Sequence, residues 1–485
     1  MQIETDPDSK RFLVMLVGFL GAMLVLTSIG LGIHSFFGSS QRQTDGTLLA
    51  EAFAGLDATL KANHAKINAE LSLIVDDGSS STQLKNKGIA KENDLALLLR
   101  DEFSGVNWDN ELPSLRRNVS RKPWQIGFLE LKNRIHLLIL CDAKREKIRV
   151  MLDNPDVDMQ LSYQLDQYGF SVEMKDRDNL WGYVHLEEYE LARALTGLTL
   201  RDIRDLNEPP EQMKPDFAEV LKALRYIMKA TEIASRQKEL NLRFTAAYIR
   251  ENTLDMVQTL VQQPRFGLHD ARSVLEMLDD QLANWPSDAW GFEGERTAAV
   301  WLYELARRGR LLDLIAPQDI VALQELGTLV SVERSALNRI DADELYYLTR
   351  MSEIIFMCRE KYHERIPSLT RWEDELEVKR GDLNGYPVLA GSILLRDVRS
   401  IMHRLAVDRA RTEAWSVALA AALKETSDRV TVHPITGRPY GIRVEIAPNP
   451  PSQFGNVITV HWLDSEEPVS VPGYAGEGIN TSTMR

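Results

Sequence analysis

Cysteine is almost missing from this chain: 485 residues carry two, Cys141 and Cys358. They stand too far apart for a CxxC pair, which excludes a zinc ribbon and a thioredoxin-like centre. They read as two buried thiols, or as one bridge in an oxidising compartment. A basic excess is missing too. Lys and Arg number 57 against 71 Asp and Glu, a formal charge of −14. Phosphate binding needs a basic surface, so nucleic acid is excluded as a main partner. No P-loop, dinucleotide fingerprint, nucleophile elbow or HExxH occurs in the sequence. No catalytic residue, cofactor or metal is therefore expected from a local motif.

Charge is also missing, over one long stretch. No Asp, Glu, Lys or Arg occurs from Phe12 through Gln41. At 1.5 Å per residue the run Phe12–Ile33 reaches about 33 Å, enough to cross a hydrocarbon core. It is too long for a secretory signal, and no small-x-small cleavage site succeeds it. Residues 12–37 are expected to be a transmembrane helix in contact with lipid. Lys10 and Arg11 precede it closely and Arg42 is the nearest base beyond it, which places residues 1–11 in the cytoplasm and the rest outside.

Beyond that run the pattern is mainly helical. Over 43–75, Phe53, Leu60, Ile67 and Ile74 recur every seven residues, with Leu49 and Leu56 on the complementary seam. This is an amphipathic helix, either a stalk able to pair two copies or a helix packed on its own domain. Residues 76–91, with "DDGSSSTQLKNK", read as a solvated linker. Residues 92–206 form a mixed, mainly helical domain. In it Pro123 starts a helix whose apolar positions are Ile126, Leu129, Ile135, Leu138 and Ile139. "LNEPPEQMKPD" is the clearest internal break. Residues 216–425 form a helical domain punctuated by Pro264, Pro286, Pro317, Pro367 and Pro387. Residues 426–472 alternate apolar and polar around turn signals and read as a small β appendage. Residues 473–485 form a flexible tail.

Chemistry has to be sought in loose clusters. His185 and Glu188 are three apart and share a helix face, an incomplete metal pair that reads as a solvated surface. Cys358, His363 and Glu364 group in "CREKYHERIP". Cys and His five apart on a helix point away from each other, so the stretch reads as a helix end before Pro367. "WGFEGERTAAVW" places Glu293, Glu295 and Arg296 between two tryptophans. Gly294 argues against one regular helix through both carboxylates, and Ser287–Asp288 looks like a helix start. Glu295 or Arg296 is expected to tie helices together, with the tryptophans packed around it. In "VHPITGRPY", Pro434 fixes φ, Gly437 permits φ > 0 and Pro439 starts the next extended segment, leaving Arg438 to project from a turn.

"FEGER" after a helical run, then "AVDRARTEAWSVALAAAL" before "VHPITGRPYGIRV", resembles a group of uncharacterised planctomycete single-pass membrane or envelope proteins. These combine a helical region bearing a "GER" element with a C-terminal "DPFTGKP"-like turn. The resemblance spans roughly Ala223–Val444 and makes Glu295, Arg296, Pro434, Gly437 and Pro439 motif residues. It implies an envelope-facing helical architecture and no known activity. Where that pattern has aspartate, this chain has His433, so any turn cap or cation held by the aspartate is expected to be lost. The overall expectation is a mainly α, single-pass membrane-anchored envelope protein, with its ectodomain periplasmic and a non-enzymatic interaction or scaffold role. Its partners would be lipid, an unknown envelope protein and a second copy through the stalk. The alternative is an envelope hydrolase or metal-dependent enzyme assembled in three dimensions, with Glu293, Glu295, His185, Glu188 and His363 as first suspects.

Overall fold

The computed structural model describes residues 84–85, 91–111, 126–159, 162–166, 169–172, 174–210, 214–309, 317–425, 432–446, 456–463 and 466–474. The expected membrane run 12–37, the segment before it, the stalk 43–75 and the tail beyond Tyr474 lie outside them. Among the described residues no helix is long and apolar enough to cross a membrane. The chain is mainly helical and carries a small antiparallel sheet near its C-terminus.

In chain order the elements are β1 (Leu84–Lys85), α1 (Leu95–Glu102), α2 (Trp108–Glu111), α3 (Phe128–Asn133), α4 (Ile135–Leu152), β2 (Ser162–Asp166), β3 (Gly169–Val172), α5 (Met174–Thr196) and α6 (Leu200–Asp205). Next come α7 (Phe217–Ser235), α8 (Leu240–Val261), α9 (Leu268–Ala283), α10 (Asp288–Arg307), α11 (Pro317–Gln324), α12 (Leu329–Asn338), α13 (Ile340–Met357), α14 (Tyr362–Lys379) and α15 (Val398–Ala422). The strands β4 (Gly441–Ile446), β5 (Asn456–His461) and β6 (Val469–Pro472) close the described chain.

Helix starts coincide with their capping residues. Asp94 accepts from the amides of Ala96 and Leu97 at α1. Thr199 and Asp202 form a reciprocal capping box at α6, and Asp216 caps α7 through Glu219 N. Each such cap is worth about 1 kcal/mol, because it satisfies an amide with no partner inside its own helix. Pro264 and Pro286 stand between helices and Pro317 opens α11. Pro367 departs from expectation, since it lies inside α14. It is the sixth residue of the helix, so it forgoes the bond an amide there would make to the His363 carbonyl.

The described residues fall into two compact units. The larger comprises residues 84–302, 351–374 and 397–474. Its interior has two cores that share helices. One face of α7 gives Val220, Leu221, Leu224 and Met228 to the first core. Its other face gives Tyr226, Ile227, Ala230 and Ala234 to the second. A helix apolar on more than one side is driven inside, and each fully buried Leu or Ile contributes about 1.5–3 kcal/mol. Both α5 and α7 belong to this unit and pack together, so the proline-rich "LNEPPEQMKPD" joins helices of one unit rather than separating two. Expected linker residues Leu84 and Lys85 form an antiparallel edge strand against Tyr163 and Ser162. A polar composition is no bar to main-chain pairing at a sheet edge.

The helix expected from Pro123 is instead two helices, α3 and α4, meeting at Arg134. Of the apolar positions assigned to it, Leu138 is buried but Leu129 and Ile139 are exposed. At the C-terminus β4, β5 and β6 form a three-stranded antiparallel sheet in that order. Ile458, Val460 and Val471 join Ala410, Ala414 and Ala418 of α15 in the first core. Alanines four apart give α15 a flat face on which a sheet can rest.

The smaller unit comprises Tyr303–Arg350 and Glu375–Arg396. Tyr303, Tyr347, Leu348, Leu389 and Ala390 are buried in it. Asp343 accepts the Tyr303 hydroxyl at 2.6 Å and the amides of Leu389 and Ala390 at 2.9 Å. Burial nevertheless pushes its carboxyl up to about 6, against the pull of those bonds.

Candidate functional site

The "WGFEGER" stretch is helical throughout, as part of α10. Gly294 does not break the helix; its missing side chain makes room. An added Cβ would stand 1.8 Å from the Lys238 carbonyl oxygen. At Gly291 a Cβ would meet Leu240 Cδ2 at 2.5 Å. The two glycines face the α7–α8 turn, and the backbones come close because neither carries a side chain.

That approach brings carboxylates to the start of α8. Glu239 caps the helix through Leu242 N. Glu295 accepts from the Leu240 amide, and its carboxyl is pushed up to about 7, first by burial and then by the facing Glu239. Glu239 is also raised, chiefly by burial. Two carboxylates at a helix N-terminus gain from its dipole, and their mutual repulsion favours a bound proton. Glu293 points elsewhere, to Lys238 at 2.7 Å. Arg296 Nε is buried with no hydrogen-bond acceptor among the described residues. Of the two residues expected to tie helices, Glu295 is the one that spans from α10 to α8. Trp290 is exposed, contrary to the expected packing of tryptophans around the tie.

Beside this junction, arginines fill the interior. Arg243 donates to the carbonyls of Ser235 at 3.0 Å and of Asp288 and Pro286 at 3.3 Å. Arg365 reaches Asp288 Oδ2 at 2.7 Å and the Cys358 carbonyl at 3.0 Å. Arg250 pairs with Asp408, donates to Gln281 Oε1 at 2.9 Å, and lies 4.5 Å over the Trp285 ring. Burial pushes the Cys358 thiol up to about 12, so it is protonated and a poor nucleophile at neutral pH. Both cysteines are free and buried.

His185 and Glu188 do bond to each other on α5, and the pair is largely buried rather than solvated. The imidazole also stacks on Trp181 with ring centroids 5.7 Å apart. Burial alone would lower the His185 pKa; Glu188 overrides it and raises it. The surface reading fails because α5 is enclosed by α1, α4 and α7, which a single helix's sequence does not reveal.

The fold also unites two stretches that are distant in sequence, "CREKYHERIP" and "VHPITGRPY". The Pro434 carbonyl accepts from both the main-chain amide and the Nδ1 of His363, each at 3.1 Å. It thereby satisfies an amide in the first turn of α14. Gly437 has φ +67° and lies so close to the His363 ring that a Cβ would be 2.8 Å from it. The turn is closed by His433 N donating to the Arg438 carbonyl and Gly437 N to the His433 carbonyl, both at 2.9 Å.

His433 does what an aspartate would do in this turn. Its Nδ1 accepts the amides of Ile435 at 3.1 Å and Thr436 at 3.3 Å. The expected loss of the cap is corrected, because an imidazole nitrogen with a free lone pair accepts backbone amides as a carboxylate oxygen does. Pro439 pairs with Val432 in an isolated bridge, and Arg438 is exposed. Tyr440 donates to Glu413 at 2.8 Å.

A further polar cluster has no counterpart in the sequence expectations. Glu187, 0% exposed, receives Arg149 Nε at 2.8 Å and its Nη2 at 2.5 Å. Glu190 pairs with Arg193 at 2.6 Å and Arg145 at 3.1 Å. The signal that could have found it is arginines four apart on α4 and carboxylates three apart on α5, each forming a stripe on one face. Among the described residues no group of three or more His, Cys, Asp or Glu could hold a metal ion. No family model, curated protein or solved structure matches the chain.

Proposed function

We propose that this chain is a single-pass membrane protein with a mainly helical ectodomain on the extracytoplasmic side, and that it holds a partner protein rather than catalysing a reaction. The observation that carries the reading is the charge-free run from Phe12 through Gln41, joined to a large helical body. Support for a non-enzymatic role comes from how the ionisable suspects are employed. Glu293 pairs with Lys238, Glu295 supports the start of α8, His185 holds Glu188 and His363 holds the Pro434 carbonyl. Glu293, Glu295 and His363 join separate parts of the fold, and His185 and Glu188 hold each other on α5. The amphipathic 43–75 segment is the expected site of pairing with a second copy, and the resemblance to planctomycete envelope proteins accords with the location.

Cross-linking mass spectrometry on native membranes tests the reading, because it reports topology and partner together. Cross-links from ectodomain lysines to one recurrent protein, with the chain retained after carbonate washing, are expected. A chain released by the wash overturns the anchor, and an ectodomain that cross-links to nothing overturns the interaction role. Ectodomain mass with and without residues 43–75 decides the stalk: a dimer that becomes a monomer is the expected outcome.

A further inference from the structure

We infer that the Val432–Tyr440 turn is a pH-sensitive latch on α14, closed while His433 is neutral and released when its Nδ1 is protonated. The inference is independent of whether the chain is anchored in a membrane.

The geometry dictates the tautomer. Nδ1 of His433 accepts the amides of Ile435 and Thr436, so its lone pair is occupied by donors and the ring proton sits on Nε2. The ring is 2% exposed and its Nε2 is buried with no hydrogen-bond partner among the described residues. A second proton would have to go to Nδ1. There it would face two N–H groups, removing both acceptor bonds and setting three donors against one another. An aspartate at this position would carry no such liability near neutral pH.

The groups around His433 come from several elements. Burial holds its pKa below the ordinary histidine value, and the His363 imidazole on α14 acts in the same direction. The Trp462 carbonyl and Glu413 on α15 act in the opposite direction. Glu413 is itself paired with Arg409 at 2.8 Å and receives the Tyr440 hydroxyl. The Tyr440 ring lies 4.9 Å from that of His433. Glu364 stands beside His363 at 3.7 Å, and Arg438 projects outward from the turn itself.

Only His433 must be neutral for the contacts to form. His363 donates from Nδ1 to the Pro434 carbonyl, a bond that the imidazolium makes equally well. Because the unfolded turn takes up a proton that the closed turn excludes, closure is favoured above about pH 6.5 and weakens as pH falls through that value. Opening removes the Pro434 carbonyl from the first turn of α14.

Hydrogen exchange of the full chain in detergent micelles, at pH 7.5 and 5.5, tests the latch once rates are corrected for intrinsic pH dependence. Peptides covering 432–446 are expected to lose protection by up to about tenfold at the lower pH, since one pH unit below the free value changes the closed-to-open ratio by that factor. Peptides from α7 serve as the internal reference. His433→Asp is expected to keep protection at both pH values. If it does not fold, His433→Asn supplies a neutral side-chain oxygen for the same amides. His363→Gln is expected to retain the pH response. Unchanged protection in the wild-type chain overturns the inference. So does an undiminished loss in a folded His433→Asp or His433→Asn chain, or a response abolished by His363→Gln alone.

Discussion

Two polar junctions in the larger unit shift one glutamate each in opposite directions, Glu190 down and Glu295 up. Between α4 and α5, Glu187 and Glu190 meet Arg145, Arg149 and Arg193. Burial would raise the Glu190 carboxyl, yet hydrogen bonds from Arg193 and the charge of Arg145 hold it down at about 2. Burial likewise opposes the charge on Arg149, and Glu187 overrides it and holds its pKa up, while burial raises the Glu187 carboxyl itself against the pull of Arg149 and Arg145. At the start of α8, Glu295 meets a main-chain amide and a second carboxylate, and its carboxyl is pushed up to about 7. The side chain is the same, buried for Glu187 and Glu190 and partly buried for Glu295. The neighbour decides whether burial leaves a charge or a proton.

The sharpest way to break this comparison is to remove the cation from the first junction. Arg149→Met leaves Glu187 buried and without its bidentate partner, which should cost about 3–5 kcal/mol in denaturant unfolding. The double variant Arg149→Met with Glu187→Leu should recover most of that loss, because it removes the stranded charge as well. A double variant as unstable as the single one would show that packing, not charge, is what Arg149 supplies.

The second junction depends first on backbone clearance. Gly294→Ala would drive a Cβ to 1.8 Å from the Lys238 carbonyl, and separating the backbones should cost about 1–3 kcal/mol. Gly105→Ala, where an added Cβ meets nothing within 4 Å, should change stability by less than about 0.5 kcal/mol. Equal melting temperatures for the two variants would contradict the close approach of α10 to the α7–α8 turn.

Glu190 and Glu295 should also respond to pH with opposite sign. Glu190 is depressed from its ordinary 4.5 to about 2, so its contribution is present above pH 4.5 and lost as pH falls toward 2. Glu295 is raised from 4.5 to about 7, so the folded chain binds a proton that the unfolded chain releases. Its contribution is present below pH 4.5 and lost as pH rises through 7. Glu295→Gln should therefore flatten the decline in melting temperature between about pH 4.5 and 7, gaining on the order of 1 kcal/mol at pH 8 after solvent screening. An unaltered pH profile would remove Glu295 as its source.

The helical class and the terminal sheet are legible in the sequence because period and turn signals are local. Strands β4 and β5 agree with the alternation after "HPITGRPYG" and in "NVITVHWL", and most helix limits agree with a capping Asp, Thr or Glu or with a proline. The sites are less legible, because each joins elements that are far apart in sequence. His363 and Pro434 are 71 positions apart, and nothing local to either announces the other. Gly294 misleads for a related reason. Its helix-breaking tendency is intrinsic, whereas its role as a clearance exists only once Lys238 lies against it. Arg149 and Glu187 sit in stripes that suit a solvated face equally well, until enclosure of α5 settles their depth.

Arg296 makes the finest distinction within the "FEGER" stretch. By sequence, Arg296 and Glu295 are equal candidates for the tie between helices, and Arg296→Met is expected to lower stability. In the structure Glu295 accepts the Leu240 amide, while Arg296 Nε is buried without an acceptor among the described residues. A buried donor left unsatisfied is itself unfavourable, by about 1–3 kcal/mol for a neutral group. Methionine keeps most of the aliphatic length and removes that donor, so the loss of charge is offset by the lost desolvation cost. Arg296→Met should then leave stability within about 0.5 kcal/mol of the parent. Urea unfolding of the variant beside Glu295→Gln at pH 8 decides between the two residues. A drop of about 2 kcal/mol or more, the loss expected for a broken buried tie, would return the role to Arg296.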